Sequence, residues 1–215
     1  MNYDEFRQLF AKLGNFYKTK DVDKFNKRLI KAKTDVSFLR PYVLEHQEYY
    51  RTFFQVSPGL CGSIEEKIKF IDENLELLQD WWHTDEIPVF LENELSFELA
   101  YKKAQEWISS DLPFARRLGY IIFIPRLTKD TSNVERLLSL CKNDEEYYVV
   151  MGEAWLISYC AMCDVDKTHR FLDNCDLKYN IVGKAIQKIC DSHVVSREDK
   201  ERFKELRTKK RASCT

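Results

Sequence analysis

The stretch ELSFELAYKKAQEWISSDLPFARRLGYIIFIPRL, residues 94–127, decides the fold class. Residues 94–110 read as one helix and residues 111–127 as the next. Asp111 stands at the N-cap position of the second, and Pro113 lies in its first turn, where a missing N–H is no loss. Two helices of ordinary length joined by a turn of a few residues are the building unit of an all-α protein. The pattern continues on both sides. Towards the N-terminus, YDEFRQLFAKLGNFY (3–17) puts Phe6, Leu9, Phe10, Leu13, Phe16 and Tyr17 on one stripe at i, i+3, i+4, i+7 spacing. Thr34 or Asp35 can cap the segment 36–54, which Pro41 kinks or restarts. SIEEKIKFIDENLELL (63–78) opens on Ser63 with Glu66 three residues later, a capping-box pattern, and carries Ile64, Ile68, Ile71, Leu75 and Leu78 at helical spacing. Towards the C-terminus, segments 132–143, 144–164, 166–175, 176–192 and 196–210 repeat the theme, the last with Ser196 as cap and Asp199 three residues on. About a dozen helices and no strand are predicted.

Composition agrees. The 215 residues contain only 6 Gly and 5 Pro, too few for many strands joined by tight turns. Hydrophobic residues make up 44% and charged residues 32%, the balance of a globular chain with a core. One domain over 1–215 is expected, with a frayed basic tail over about 208–215. Regular alternation of helices and short turns suits a right-handed superhelix of stacked antiparallel helix pairs, a HEAT-like α-solenoid; a compact bundle gives the same periodicity. No apolar run is long enough to span a membrane, and MNYDEFRQLF is acidic where a signal peptide is basic, so a cytoplasmic protein without membrane attachment is expected. Its seven cysteines are then mostly reduced. The net charge of -1 hides an asymmetry: residues 178–215 hold eleven Lys/Arg against five Asp/Glu, leaving 23 against 30 in the rest. A basic C-terminal region on an acidic body can meet phosphate, or can simply be a solvated last helix.

Several chemistries lack their motifs. No GxGxxG, P-loop lysine or HExxH occurs, so no nucleotide cofactor is expected. Cys160-Ala-Met-Cys163 has His169 nearby but no second pair at zinc spacing, and its apolar setting suits helix packing; no metal is expected. His46, His83 and His193 stand apart from any nucleophile elbow, although His83 lies between Trp82 and Asp85. That neighbourhood, LLQDWWHTDEI (77–87), reads either as the closing turn of a helix or as an aromatic wall with a carboxylate. Trp81 and Asp85 are four apart, hence on one helical face. An indole face beside a carboxylate suits a planar cation.

Three stretches give this chain a resemblance to the AlkD-type DNA alkylation repair family, HEAT-like helical DNA glycosylases: Trp81, Asp85 and Ile87; WISSDLPFARRLG with Arg117; and EEYYVVMGEAWLIS with Trp155. Order and spacing agree over roughly residues 60–190, and FLRPYV (38–43) matches loosely. The alternative register, Trp82 with Glu86, puts Pro88 where the family has an apolar residue; the Trp81–Asp85 register puts Ile87 there. The resemblance implies a concave face cupping double-stranded DNA and removal of cationic N-alkylpurines such as 3-methyladenine and 7-methylguanine, without a cofactor, by a monomer. It implies that Trp81 and Trp155 wall the lesion, that Asp85 stabilises positive charge on the sugar or positions water, and that Arg117 meets phosphate, with Arg116, Lys184 and Lys188 as further DNA-binding bases. Departures are visible: no base follows Trp155, Gly183 stands where the family commonly has a basic residue, and Glu153 adds a negative charge near the proposed face. They leave a second expectation, a non-catalytic helical-repeat module that binds DNA or protein.

Overall fold

The structure is a computed structural model that describes residues 1–14, 18–91, 94–124 and 130–212. Phe16 and Tyr17 of the first stripe, Pro125–Leu127 and Cys214 lie outside the described residues. Among the described residues there are twelve α-helices, three short 3-10 helices and no strand, the all-α class that the periodicity predicts. No helix is long and apolar enough to cross a membrane.

The chain divides into two compact units. The first comprises Met1–Gln79 with Val89–Glu94. It holds α1 (Tyr3–Ala11), α2 (Thr19–Lys31), α3 (Gln47–Leu60) and α4 (Ile64–Asp72). Its centre is aromatic: the rings of Phe6, Phe10, Phe25 and Tyr49 meet at tilted and edge-on angles, 5.5–6.4 Å apart. Buried Asn26 accepts from Thr52 Oγ1 at 2.9 Å and donates to Gln55 at 2.7 Å, so its polar atoms are satisfied inside that core. Pro41 lies in a 3-10 helix, Ser37–Tyr42, and the α-helix restarts at Gln47. Asp35 accepts from the Ser37 amide at the entrance to that turn. Ser63 accepts from the Glu66 amide as its spacing predicts, while Glu66 reaches the Gly62 amide, one residue before the expected partner.

The second unit comprises Asp80–Pro88 with Leu95–Thr215. It contains the opening turns of α5 (Trp81–Leu91), then α6 (Phe97–Ile108), α7 (Pro113–Ile121), α8 (Val134–Leu138), α9 (Tyr147–Cys163), α10 (Val165–Asn174), α11 (Tyr179–Asp191) and α12 (Arg197–Ala212). Odd-numbered helices form one row: α7 packs on α9 and α9 on α11. Even-numbered helices form another, tied by polar contacts. Arg136 of α8 grips Glu98 and lies over the Phe97 and Tyr101 rings of α6, and Arg202 and Lys209 of α12 reach Asp166 and Asp173 of α10. Within this unit the arrangement is one of stacked helix pairs.

Two details of the 94–127 stretch emerge. The N-cap of α7 is Leu112, not Asp111: Pro113 takes the first helical position, which moves the cap one residue on, and no side chain bonds there. The turn is instead tied by Arg116, whose Nη1 donates to the Ser110 and Asp111 carbonyls. Gly119 lets α6 and α7 approach closely; a Cβ there would lie 2.6 Å from Ile108 Cγ1 and 3.0 Å from the Ala104 carbonyl oxygen. Helix α12 continues through residues 208–212, where fraying was expected.

Candidate functional site

Trp81 opens α5, so LLQDWWHTDEI is the start of a helix rather than the close of one. The Trp81 amide donates to the Asp80 carboxylate at 2.6 Å, and Thr84 Oγ1 donates to the Trp81 carbonyl at 2.8 Å. That turn projects Trp81 and Asp85 into a cleft of about 310 Å³ whose other walls are Arg117, Tyr147, Tyr148, Met151, Trp155 and Lys188. The volume lies at the small end of ligand sites. Three of the sequence-predicted site residues (Trp81, Asp85 and Trp155) and two of the four predicted bases (Arg117 and Lys188) therefore converge. Helices α5, α7, α9 and α11 each supply part of the lining.

Arg117 is placed differently from the expectation. It is only 4% exposed. Its Nε and Nη2 donate to the two Asp85 oxygens, each at 2.9 Å, and Nη1 donates to the Tyr148 carbonyl at 2.8 Å. This is a bidentate fork between α5 and α7 with a third bond to α9. A guanidinium committed in this way does not reach out to phosphate. Gly152 makes room for it: a Cβ there would sit 3.2 Å from Arg117 Cγ and 3.5 Å from Nη1. Burial pushes the Asp85 carboxyl above its ordinary pKa, and the Arg117 charge and hydrogen bonds pull against that rise. Both Asp85 oxygens accept from the Arg117 guanidinium, and the residue lines the cleft.

Around this pair the cleft is aromatic. Trp81 is 47% exposed, an unusual position for an indole. Tyr147 and Tyr148 are exposed as well, and their rings meet edge-on at 5.2 Å. The Tyr pair, Met151 and Trp155 share one face of α9 at helical spacing, the signal by which the tyrosines and Met151 could have been added to the site from sequence. Lys188 Nζ lies 5.5 Å from the centroid of the Trp155 ring. Burial, and then the positive charge of Arg117, hold its pKa below the usual lysine value.

The remaining expected residues lie elsewhere. Arg116 is paired with Asp144 through Nε at 2.7 Å and Nη2 at 3.3 Å, bracing the turn that leads into α9. Lys184 lines a neighbouring groove of about 280 Å³ with Tyr147, Tyr179, Asn180, Gln187 and Arg207. Trp82 is not a cleft wall; its ring packs on His83 at 3.9 Å. His83 is buried, which pushes its pKa down to about 4 and keeps it neutral. Glu153 does not place a negative charge on the face. It is 0% exposed, no hydrogen bond of ordinary geometry reaches either oxygen, and burial pushes its pKa up to about 8. The nearby Lys142 amide only opposes that rise. At neutral pH Glu153 is mostly the uncharged acid. Cys160 is buried, with its thiol pKa raised by burial, and among the described residues no group of three or more His, Cys, Asp or Glu could hold a metal ion.

The cleft thus brings together one carboxylate bound to a guanidinium, two indoles and an amine. In comparison with known proteins, the family model described as DNA alkylation repair enzyme matches residues 61–189, which include every lining residue of the cleft. No curated protein and no solved structure matches the chain.

Proposed function

Because the chain belongs to the DNA alkylation repair enzyme family, we propose that it is a DNA glycosylase that excises cationic N-alkylated purines, of the 3-methyladenine and 7-methylguanine type, from double-stranded DNA. The observation that carries this reading is Asp85, held through both oxygens by Arg117 in a cleft walled by Trp81 and Trp155. A purine alkylated on a ring nitrogen is a planar cation and already a good leaving group. Indole faces attract it through the ring quadrupole. As the glycosidic bond breaks, positive charge moves from base to sugar. A fixed carboxylate stabilises that oxocarbenium-like state more than the ground state, because its orientation is set before the reaction begins. No general acid is needed to expel such a base, so the neutral His83 and Glu153 need no catalytic role.

Arg117 takes the part of a positioning residue in this mechanism. Its fork fixes both carboxylate oxygens, and its bond to Tyr148 registers α9, which carries Trp155, against α7. Lys184 and Lys188 are the two predicted bases that make no ion pair among the described residues, and phosphate contact falls to Lys184, in the neighbouring groove. With Arg116 and Arg117 both tied to carboxylates, few bases remain on this face. That observation favours the second reading, a non-catalytic module that binds DNA or protein, since phosphate contact dominates DNA affinity.

Chromatography of bases freed from methylated duplex DNA, run beside gel shifts at several salt concentrations, separates the two. Free 7-methylguanine or 3-methyladenine supports the glycosylase. Salt-sensitive binding without base release supports a DNA-binding module, and no binding at all supports a protein-binding one.

A further inference from the structure

Lys188 is set apart from the neighbouring bases of the second unit. Arg116 and Arg117 are each spent on a carboxylate. Lys188 Nζ makes no hydrogen bond or salt bridge among the described residues, yet it is half-buried and turned into the cleft over the Trp155 ring, on the same lining as Asp85. An amine that is partly desolvated and beside another cation is the setting in which lysine becomes an imine-forming nucleophile. A lysine serving only as a phosphate contact gains nothing from burial, because its charge acts best when it is solvated and mobile.

We propose that Lys188 carries a second activity: it forms a Schiff base with the C1′ aldehyde of an abasic deoxyribose and cleaves the strand on the 3′ side of that sugar. This rests on the base-release reading above, because a departing base is what exposes that aldehyde in the cleft. The neutral amine adds to C1′, and the carbinolamine loses water to give an iminium. The iminium acidifies C2′, whose proton passes to the Asp85 carboxylate. The C3′–O bond then breaks, and its electron pair leaves with the 3′ phosphate. Water hydrolyses the conjugated imine, which restores the Lys188 amine and releases an unsaturated aldehyde. No oxidant, reductant or metal enters the sequence. Burial and the Arg117 charge both enlarge the neutral fraction of the amine, in the direction that the first step requires.

The test uses a duplex with one preformed abasic site, made by enzymatic removal of a single uracil, mixed with the full chain and sodium borohydride. A covalent protein–DNA adduct on a denaturing gel is expected, with the attached peptide containing Lys188. Lys188→Arg should lower adduct yield by about tenfold or more, since a guanidinium forms no imine. Lys102→Arg, an exposed change on α6, should leave it unchanged. Absence of adduct with the unmodified chain, or undiminished adduct in Lys188→Arg, overturns the proposal. If Lys188→Arg folds poorly, the peptide map of the unmodified chain decides alone: attachment at any other residue overturns it. Because the abasic site is supplied, the result is independent of base release. Trapping at Lys188 without release of methylated bases removes the glycosylase reading and keeps the nucleophile; release without trapping does the reverse.

Discussion

Replacing Glu153 by Gln should change how stability depends on pH, and the structure gives the size. The side chain is 0% exposed, and its pKa is raised by burial from 4.5 to about 8. Between those two values the native state binds a proton that the unfolded state has lost. The sign follows: this group's contribution to stability is full below pH 4.5 and is lost as pH rises to about 8. The loss is about 1.4 kcal/mol per pH unit, or on the order of 3 kcal/mol by pH 7. Gln has nearly the same shape and cannot ionise. Its buried amide adds a constant, pH-independent cost, so the slope and not the intercept carries the information. Urea denaturation of both proteins at pH 5, 6, 7, 8 and 9 is the assay, and other titrating groups cancel in the difference. Stability of Glu153→Gln relative to the unmodified chain should climb through this range and level off above pH 8. A difference that is constant from pH 5 to 8 would show that Glu153 ionises at its ordinary value and would refute the burial-driven rise.

The other predictions concern the site and its support. Arg117→Ala leaves the part-buried Asp85 carboxylate without its partner and should cost about 2–4 kcal/mol in urea denaturation, somewhat less than for a fully buried pair. Arg117→Lys keeps the charge but loses the fork, so it should recover stability better than it recovers base release; equal recovery of both would remove Arg117 as a positioning residue. Gly119→Ala, which drives a methyl against Ile108 and the Ala104 carbonyl, should cost about 1–3 kcal/mol without changing how a folded sample binds DNA. Trp155→Ala and Trp81→Ala should each weaken binding to methylated duplex by about 1–3 kcal/mol, and Phe at either position should restore part of it. Equal affinity of the Ala and Trp forms would deny the indoles a stacking role.

Local signals made most of the helices legible. Ser63, Ser196 and the apolar spacing mark ends and faces that depend on neighbours a few residues away. Trp81 and Asp85 were legible for the same reason, being one turn apart. What sequence does not carry is partnership at a distance. Arg117 and Asp85 are 32 residues apart, and nothing local says that this arginine faces a carboxylate instead of solvent. Asp111 misled because the first helical position went to Pro113, which shifts the cap to Leu112 whatever its side chain. Glu153 reads as an exposed charge from its residue type alone, and the structure buries it. Its helix, YYVVMGEAWLISYCAMC, has Glu153 as its one charged residue, and the residues on either side of it, Gly152 and Ala154, are buried with it. That composition was the available warning that the carboxyl is desolvated.

In the proposed function an Arg117-anchored Asp85 supplies the electrostatic stabilisation for base release. Single-turnover excision of 7-methylguanine from duplex DNA, with the unmodified chain and with Asp85→Asn at matched DNA occupancy, tests it most directly. The unmodified chain should release the base, and Asp85→Asn should do so more slowly by about 10²–10³-fold, in line with the loss of one preorganised electrostatic partner. Equal rates in the two proteins would contradict it.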